Sequence, residues 1–321
     1  MKIAMCLEPE VSPKWHYALQ MGVTEAVAIS DAGIALWDMG TLARYKKLYT
    51  DFGFQVSTFE GWLDLNDIKT GGPLAALQTG RFIQTIRNFA AQGIEVYCYN
   101  WMANIGWKRT QVDAVTRGGA LTTIYDHRVS EASPEAKLPP EVRAVDLWST
   151  LERFLDQVLP ICEAEGVKLA MHPDDPPLER IFDVERIMGS MEAFERLLAL
   201  SPSPSNGITM CQGNFAAMNA DVPAAIRQLG RDGRIHFAHF RDIEGDAYHI
   251  EERFHDDGKT DMRASMQAYH DIGFAGAIRP DHAPVMYGEE NTKPGYQGLG
   301  RIFAVGYMKG LIEGMTPTSN P

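Results

Sequence analysis

Short apolar runs rich in Val and Ile alternate along the chain with longer amphipathic segments. The runs fall near 3–8 (IAMCLE), 26–30 (AVAIS), 54–60 (FQVSTFE) and 94–99 (IEVYCY), then 167–172 (VKLAMH), 207–211 (GITMC), 234–240 (RIHFAHF) and 277–281 (AIRPD). Their length and composition predict strands. Apolar positions at helical period lie between them, over 40–52, 75–92, 141–166, 190–200, 219–230, 259–272 and 297–313. Gly93, Gly166, Gly207, Gly233 and Gly276 stand where a helix hands over to a strand, as such turns often require.

Eight strands in strict alternation with helices predict an α/β fold, a closed (β/α)8 TIM barrel. A doubly wound open sheet is the alternative, but no GxGxxG follows the first strand. Residues 1–321 are expected to form one barrel domain with a long βα loop insertion at about 100–140. A loop of that length is expected to be a lid or an oligomer contact rather than plain connector. Internal repeats, low-complexity tracts and linkers do not stand out.

Composition narrows the partners. The chain has 321 residues, 45% hydrophobic and 22% charged, which is ordinary for a soluble globular protein. A formal net charge of −12 argues against nucleic acid and anionic membrane. It does not exclude an acidic small molecule bound in a locally positive pocket. No apolar run approaches the roughly 18 residues of a membrane span. Cys6, Cys98, Cys162 and Cys211 are scattered and form no CxxC pair, which predicts a reducing cytoplasm.

His172, Cys211, His239 and Asp281 each close a predicted strand. Parallel barrel strands deliver their C-terminal residues to one mouth, where such barrels place their chemistry. Two imidazoles, a thiolate and a carboxylate converging there would make a mixed N/S/O site for a divalent metal. Taken singly, each has a plainer reading: a hydrogen-bonded buried histidine, a small core cysteine, or half of an Arg279–Asp281 ion pair. Side chains alternate along a strand, so His239 and His236 face opposite ways; His239 is the expected ligand and His236 structural. Arg241 shares the face of His239 and is an expected anion contact, as is Arg279, two residues before Asp281. Asp174, in HPDDPP, is expected to shape the loop or position a substrate hydroxyl. Cys211 opens CQGN, where Gly213 would permit close backbone approach to a ligand. Glu60 and Asn100, at the ends of the third and fourth strands, and Trp107 and Arg109, in GWKRT, are candidate substrate contacts. His255, Tyr296 and His282 lie on predicted βα loops and are candidates for acid and base, His282 facing away from Asp281. The remaining cysteines are assigned to packing.

These strings resemble the mannonate dehydratase family, which has a xylose-isomerase-like barrel. The resemblance rests on CYNWM with WKRT (98–110), MHPDDPP (171–177), NGITMCQG (206–213) and RIHFAHFRD (234–242). It continues through FHDDGKTDM (254–262), IRPDH (278–282) and TKPGYQGLGR (292–301), from about residue 54 to the C-terminus. The resemblance implies Mn2+, or Co2+ or another divalent metal, held by His172, Cys211, His239 and Asp281, with Arg279 and Tyr296 in the active site. It implies dehydration of D-mannonate to 2-keto-3-deoxy-D-gluconate, and a homo-oligomer. Three features depart from the family pattern. The insertion after WKRT is shorter, the third strand ends FEGWLDLNDIK without the usual Glu-Ser start and histidine near Leu65, and the first strand ends CLEPE in place of Arg-Trp-Tyr. The metal half of the site is retained and part of the substrate half is rewritten.

Two other functions fit the same residues. Epimerisation or isomerisation of a sugar or sugar acid uses the same proton abstraction and differs in keeping the C3 oxygen. A binding or regulatory protein on a decayed barrel would be expected to lose the metal ligands, and all four are present.

Overall fold

Eight parallel strands close into a barrel: β1 (Lys2–Leu7), β2 (Glu25–Ala28), β3 (Gln55–Glu60), β4 (Val96–Tyr99), β7 (Lys168–Met171), β10 (Asn206–Cys211), β11 (Ile235–Phe240) and β14 (Ala277–Pro280). Neighbours follow chain order, and β1 pairs with β14 to complete the ring. This is a computed structural model, and it describes residues 1–30, 33–61, 63–133 and 140–315. Helices cover the barrel, so its strands are buried on both faces and read as apolar runs. All eight predicted strands form where the patterning placed them.

The helices are α1 (Pro13–Gln20), α2 (Met39–Phe52), α3 (Asn66–Thr70), α4 (Ala75–Ala91), α5 (His127–Glu131) and α6 (Ala144–Glu165), then α7 (Met191–Leu200), α8 (Gln212–Ala217), α9 (Val222–Gly230), α10 (Met262–Asp271) and α11 (Gly298–Met315). Side-chain caps decide several starts. Asp221 and Asp261 accept from Ala224 N and Ala264 N, so α9 and α10 begin later than the periodicity predicts. Helix α1, which the patterning did not show, begins with proline at its first turn and is only eight residues long. Helices α3, α5 and α8 span five or six residues, too short for a helical period to register.

The insertion is a structured unit rather than an open loop. Strands β5 (Gln111–Val115) and β6 (Leu121–Asp126) join β12 (Ile243–Asp246) and β13 (His249–Glu252) in a four-stranded antiparallel sheet, with Ile250 opposite Tyr125. Its Pro- and Glu-containing part at 134–139 lies outside the described residues. A short hairpin of β8 (Arg180–Ile181) and β9 (Val184–Glu185) completes the strands.

Inside the barrel, Ala4, Cys6, Val27, Val96, Cys98, Ala170, Phe237 and Ala277 form a small cluster, separate from the large core between barrel and helices. Mostly small residues fill the barrel axis here, and the same inward parity carried one or two residues further reaches the mouth.

Candidate active site

That parity sets the site. From Ala4 and Cys6 it reaches Glu8, from Cys98 Asn100, from Ala170 His172, from Phe237 His239, and from Ala277 Arg279 and Asp281. All the residues so reached except His239 line a cavity of about 1330 Å3, together with Glu60, Lys69, Trp107, Asp175, His282 and Tyr296 among others. Trp107, Lys108 and Val112 come from the insertion, which walls one side.

One ligand-type atom from each of His172, Cys211 and His239 lies within 4.8 Å of the others. Asp281 sits beside them, its Oδ2 being 3.6 Å from His239 Nδ1 and 3.7 Å from Cys211 Sγ. His172 Nδ1 lies 2.7 Å from the Pro173 carbonyl. Donation to that carbonyl puts the proton on Nδ1 and leaves the Nε2 lone pair open. His239 Nε2 is buried and lacks a hydrogen-bond partner among the described residues, although a Glu60 oxygen lies 3.3 Å away out of bonding geometry.

Glu60, Cys98 and His239 form a second close group. Burial holds the Cys98 thiol well above its ordinary range, and Thr209 Oγ1 donates to its sulfur. Glu60 is taken by Arg279, whose Nε and Nη2 donate to it at 2.8 and 2.9 Å. The first group is therefore the better metal candidate. Burial likewise pushes Cys6 up to about 11 and Cys162 up to about 12, in keeping with packing roles, though Cys6 and Cys98 also line the cavity.

Burial opposes the charge on Asp281, yet His282, Arg279, His239 and Arg241 outweigh it and hold the carboxyl well below its usual range. Arg279 Nη1 donates to Asp281 Oδ1 at 2.7 Å. The guanidinium expected to hold a substrate anion is thus spent on Glu60 and Asp281. Arg241 is also not free. It is fully buried and donates to Glu252, Asp175 and Asn214. Gly213 makes room for it, since a Cβ there would lie 2.7 Å from Arg241 Cδ and Nε. The close approach at CQGN therefore serves Arg241, while Asn214 Oδ1 lies 2.9 Å from Cys211 Sγ.

His282 and Tyr296 meet at the other side of the carboxylate. His282 Nε2 is 3.0 Å from the Tyr296 hydroxyl, which is 3.3 Å from Asp281 Oδ1. His282 Nδ1 is 3.0 Å from Glu252 Oε1. The expectation that His282 faces away fails because β14 ends at Pro280, so strand alternation no longer governs its direction. Burial, then the nearby Asp281 charge, raises the Tyr296 phenol well above its ordinary range. Fully buried Arg301 fixes the Tyr296 loop, donating to Tyr296 O at 2.8 Å and Cys6 O at 3.0 Å.

Six predicted site residues, Cys211, His239, Arg241, His255, Arg109 and Asp174, do not line the cavity. His255 is fully buried and donates from Nε2 to Phe240 O at 2.7 Å, and burial pulls it down to about 4. Arg109 pairs with Asp175 and Glu252, and Arg241 with the same two carboxylates. Asp174 accepts from Met188 N at 2.7 Å and shapes the loop. His236 is structural as expected, with Nδ1 2.9 Å from Leu169 O. Sequence reasoning missed Glu252, Lys69 and Arg301. Glu252 closes β13, whose four residues carry no apolar period, so nothing marked it as buried.

The D-mannonate dehydratase (UxuA) family model matches residues 16–145 and 136–320. Mannonate dehydratase 2 of Halalkalibacterium halodurans is 34% identical over 341 residues, covering 96% of this chain and 97% of the relative. Mannonate dehydratase of Streptococcus agalactiae is 35% identical over 313 residues, covering 89% of each. The crystal structure of mannonate dehydratase from Streptococcus suis serotype 2 superposes with a TM-score of 0.90 at 30% identity, covering 98% of this chain and 94% of that one. A xylose isomerase domain protein from Planctomyces limnophilus, at a TM-score of 0.62 and 12% identity over 98% of this chain and 97% of that one, shares the fold alone.

Proposed function

The chain belongs to the D-mannonate dehydratase family, and from that premise we propose that it removes water from a sugar acid, D-mannonate or a related aldonate, giving the 2-keto-3-deoxy acid. The observation that carries the reading is the His282–Tyr296 pair, 3.0 Å apart at the cavity wall beside Asp281.

The donor set suits a divalent metal, with His172, Cys211 and His239 as ligands and Asp281 completing it. The unpartnered His239 Nε2 and the Nε2 lone pair of His172 are what such an ion would occupy. Mn2+ is the ion of choice, with Co2+ next; the thiolate disfavours an all-oxygen Mg2+ site. When bound, the ion would supply Lewis-acid stabilisation of charge gathering on the substrate's carboxylate end.

Dehydration needs a base for the C2 proton and an acid for the departing C3 hydroxyl. Tyr296 is protonated at neutral pH, since burial and Asp281 oppose its ionisation, so it is the acid. His282 is the base, its Nδ1–H directed to Glu252, so that Nε2, which faces the Tyr296 hydroxyl, is the accepting nitrogen. The C2–H electrons form the C2–C3 double bond, the C3–O bond breaks, and Tyr296 protonates the leaving oxygen to water. The enol then tautomerises to the 2-keto acid. Imidazolium His282 returns its Nε2 proton to the tyrosinate across the hydrogen bond between them, resetting both groups. Arg279 acts as a positioning residue for Asp281 and Glu60.

The chain's four cysteines are free and buried, which fits a reducing cytoplasm. No helix among the described residues is long and apolar enough to cross a membrane. Strand β5, with Val112 and Val115 exposed, is where a homo-oligomer contact would form; light scattering of Val115→Lys would test it by loss of assembly. Turnover of D-mannonate, read as 2-keto-3-deoxy product, tests the function itself, and its absence with metal bound would overturn it.

A further inference from the structure

The cavity's cations are unequal. Arg279 faces Glu60 and Asp281, Lys293 reaches Glu8 at 3.2 Å, and Lys108 lies over the Phe182 ring at 5.1 Å. Lys69 differs. It is 8% exposed, lines the cavity, and has no carboxylate within ion-pairing distance among the described residues. Its ammonium donates to two neutral acceptors, Asn100 Oδ1 at 3.0 Å and Met102 O at 3.1 Å. An ammonium carries three N–H donors. The third is left for whatever enters the cavity, and a buried charge facing only neutral acceptors is undersatisfied until it arrives.

The surroundings hold this donor in place. Thr150 Oγ1 donates to Lys69 O at 2.8 Å, pinning α3 to α6. Asn66 Nδ2 donates to Asn104 Oδ1 at 3.0 Å and Asn104 N donates back to Asn66 Oδ1 at 2.9 Å, locking the loops after β3 and β4 together. Met102 N also donates to Asn100 Oδ1, so that oxygen is committed and the Asn100 Nδ2 donors are left for another acceptor. The metal-type donors come from β7, β10, β11 and β14, one arc of the barrel, whereas Lys69 and Asn100 sit on the β3–β4 arc beside it. A chain molecule with its reacting end at the first arc would present its other end to the second.

We infer that Lys69, with Asn100, forms a subsite for the end of the substrate remote from the reacting carboxylate, donating to a terminal hydroxyl or a second carboxylate. This rests on the sugar-acid reading above and extends it. The enzyme is selective for acids long enough to reach Lys69, and a four-carbon aldonate is too short.

The test is steady-state kinetics of the metal-loaded enzyme and of Lys69→Met and Lys69→Arg. The substrates are D-mannonate, the matching six-carbon aldarate and a four-carbon aldonate. In Lys69→Met, kcat/KM for the six-carbon acids falls by about tenfold or more, mostly through KM, as expected for one lost charged hydrogen bond. The preference for six carbons over four shrinks by a similar factor, and Lys69→Arg retains part of it. A larger loss on the aldarate than on D-mannonate assigns a carboxylate terminus; equal losses assign a hydroxyl. If Lys69→Met does not fold, a smaller length-dependent loss in Lys69→Arg carries the same meaning. Equal losses on long and short acids, or none, overturn the subsite. If the wild type dehydrates none of the acids, the dehydratase reading fails on its own. Calorimetric Kd values for the six-carbon acids then decide about Lys69, an unchanged Kd in Lys69→Met counting against it.

Discussion

Glu252 Oε1 lies 3.0 Å from His282 Nδ1 and also receives hydrogen bonds from Arg109 Nη2 at 2.5 Å and Arg241 Nη2 at 2.6 Å. One carboxylate from the sheet beside the mouth therefore orients His282, the proposed base, and anchors two buried guanidinium groups. Burial opposes its charge, but Arg241, His282 and Arg109 hold it well below the ordinary glutamate range. Replacing it as Glu252→Gln leaves both arginines short of negative charge. Breaking a buried pair costs about 3–5 kcal/mol, so chemical denaturation should show a loss of that size, and kcat should fall as the His282 tautomer is freed.

The same depressed carboxylates predict the acid limb of stability. Asp175, despite burial, is brought down to about 2 by Arg109 and Arg241, and Asp281 and Glu60 are also lowered. Groups with lowered folded values contribute stability that is present above the unfolded value, about 4 for Asp and Glu. That stability is lost as pH falls through the folded values. Thermal melts from pH 7 to pH 3 should therefore show a steep fall below about pH 4. The fall should be shallower in the Asp175→Asn variant.

Tyr296→Phe removes the proposed acid while keeping the ring against His282. Its kcat should fall by about 100- to 10,000-fold, with KM little altered. His282→Asn should fall comparably, and the double variant should be scarcely worse than either single one, because the two groups act as a unit. Additive losses would separate their roles.

Gly213→Ala tests packing at the site's edge. A Cβ would meet Arg241 Cδ and Nε at 2.7 Å, and Arg241 is held on several sides by Glu252, Asp175 and Asn214. Overpacking of this kind costs about 1–3 kcal/mol, readable as a lower denaturation midpoint.

Lys69 predicts the alkaline limb of substrate binding. Burial lowers it to about 8, with Asp174 and Asp64 raising and Arg186 lowering it further. The ammonium is needed to donate, so KM for a six-carbon acid should rise as pH passes above about 8. Lys69→Arg should lack that rise, since arginine keeps its charge there.

The fold was readable because parallel barrel strands are apolar along their whole length and helices between them are periodic. The meeting of His172, Cys211 and His239 was readable because inward parity carries through the strand ends and brings these three side chains together. Legibility faded just past the strand ends. His282 turns into the cavity once β14 has ended, and Glu252 arrives from a second sheet that no local pattern links to the mouth. Arg241 and Arg109 were legible as cations on the correct elements, but not as charges already neutralised. Their partners, Asp175 and Glu252, lie more than sixty residues from Arg109 along the chain.

The metal half of the site is tested by His172→Ala and Cys211→Ser. Elemental analysis of the purified variants should show metal per chain well below wild type, and added Mn2+ should raise the melting temperature of wild type more than theirs.

The most direct test of the central claim is product analysis of D-mannonate incubated with the Mn2+-loaded enzyme in deuterated water. The account predicts a 2-keto-3-deoxy acid carrying solvent deuterium at C3, where the enol picks up its proton. Recovery of a six-carbon acid with its C3 oxygen intact and deuterium at C2 would show epimerisation instead, and would contradict the assignment of Tyr296 as the acid for a departing hydroxyl.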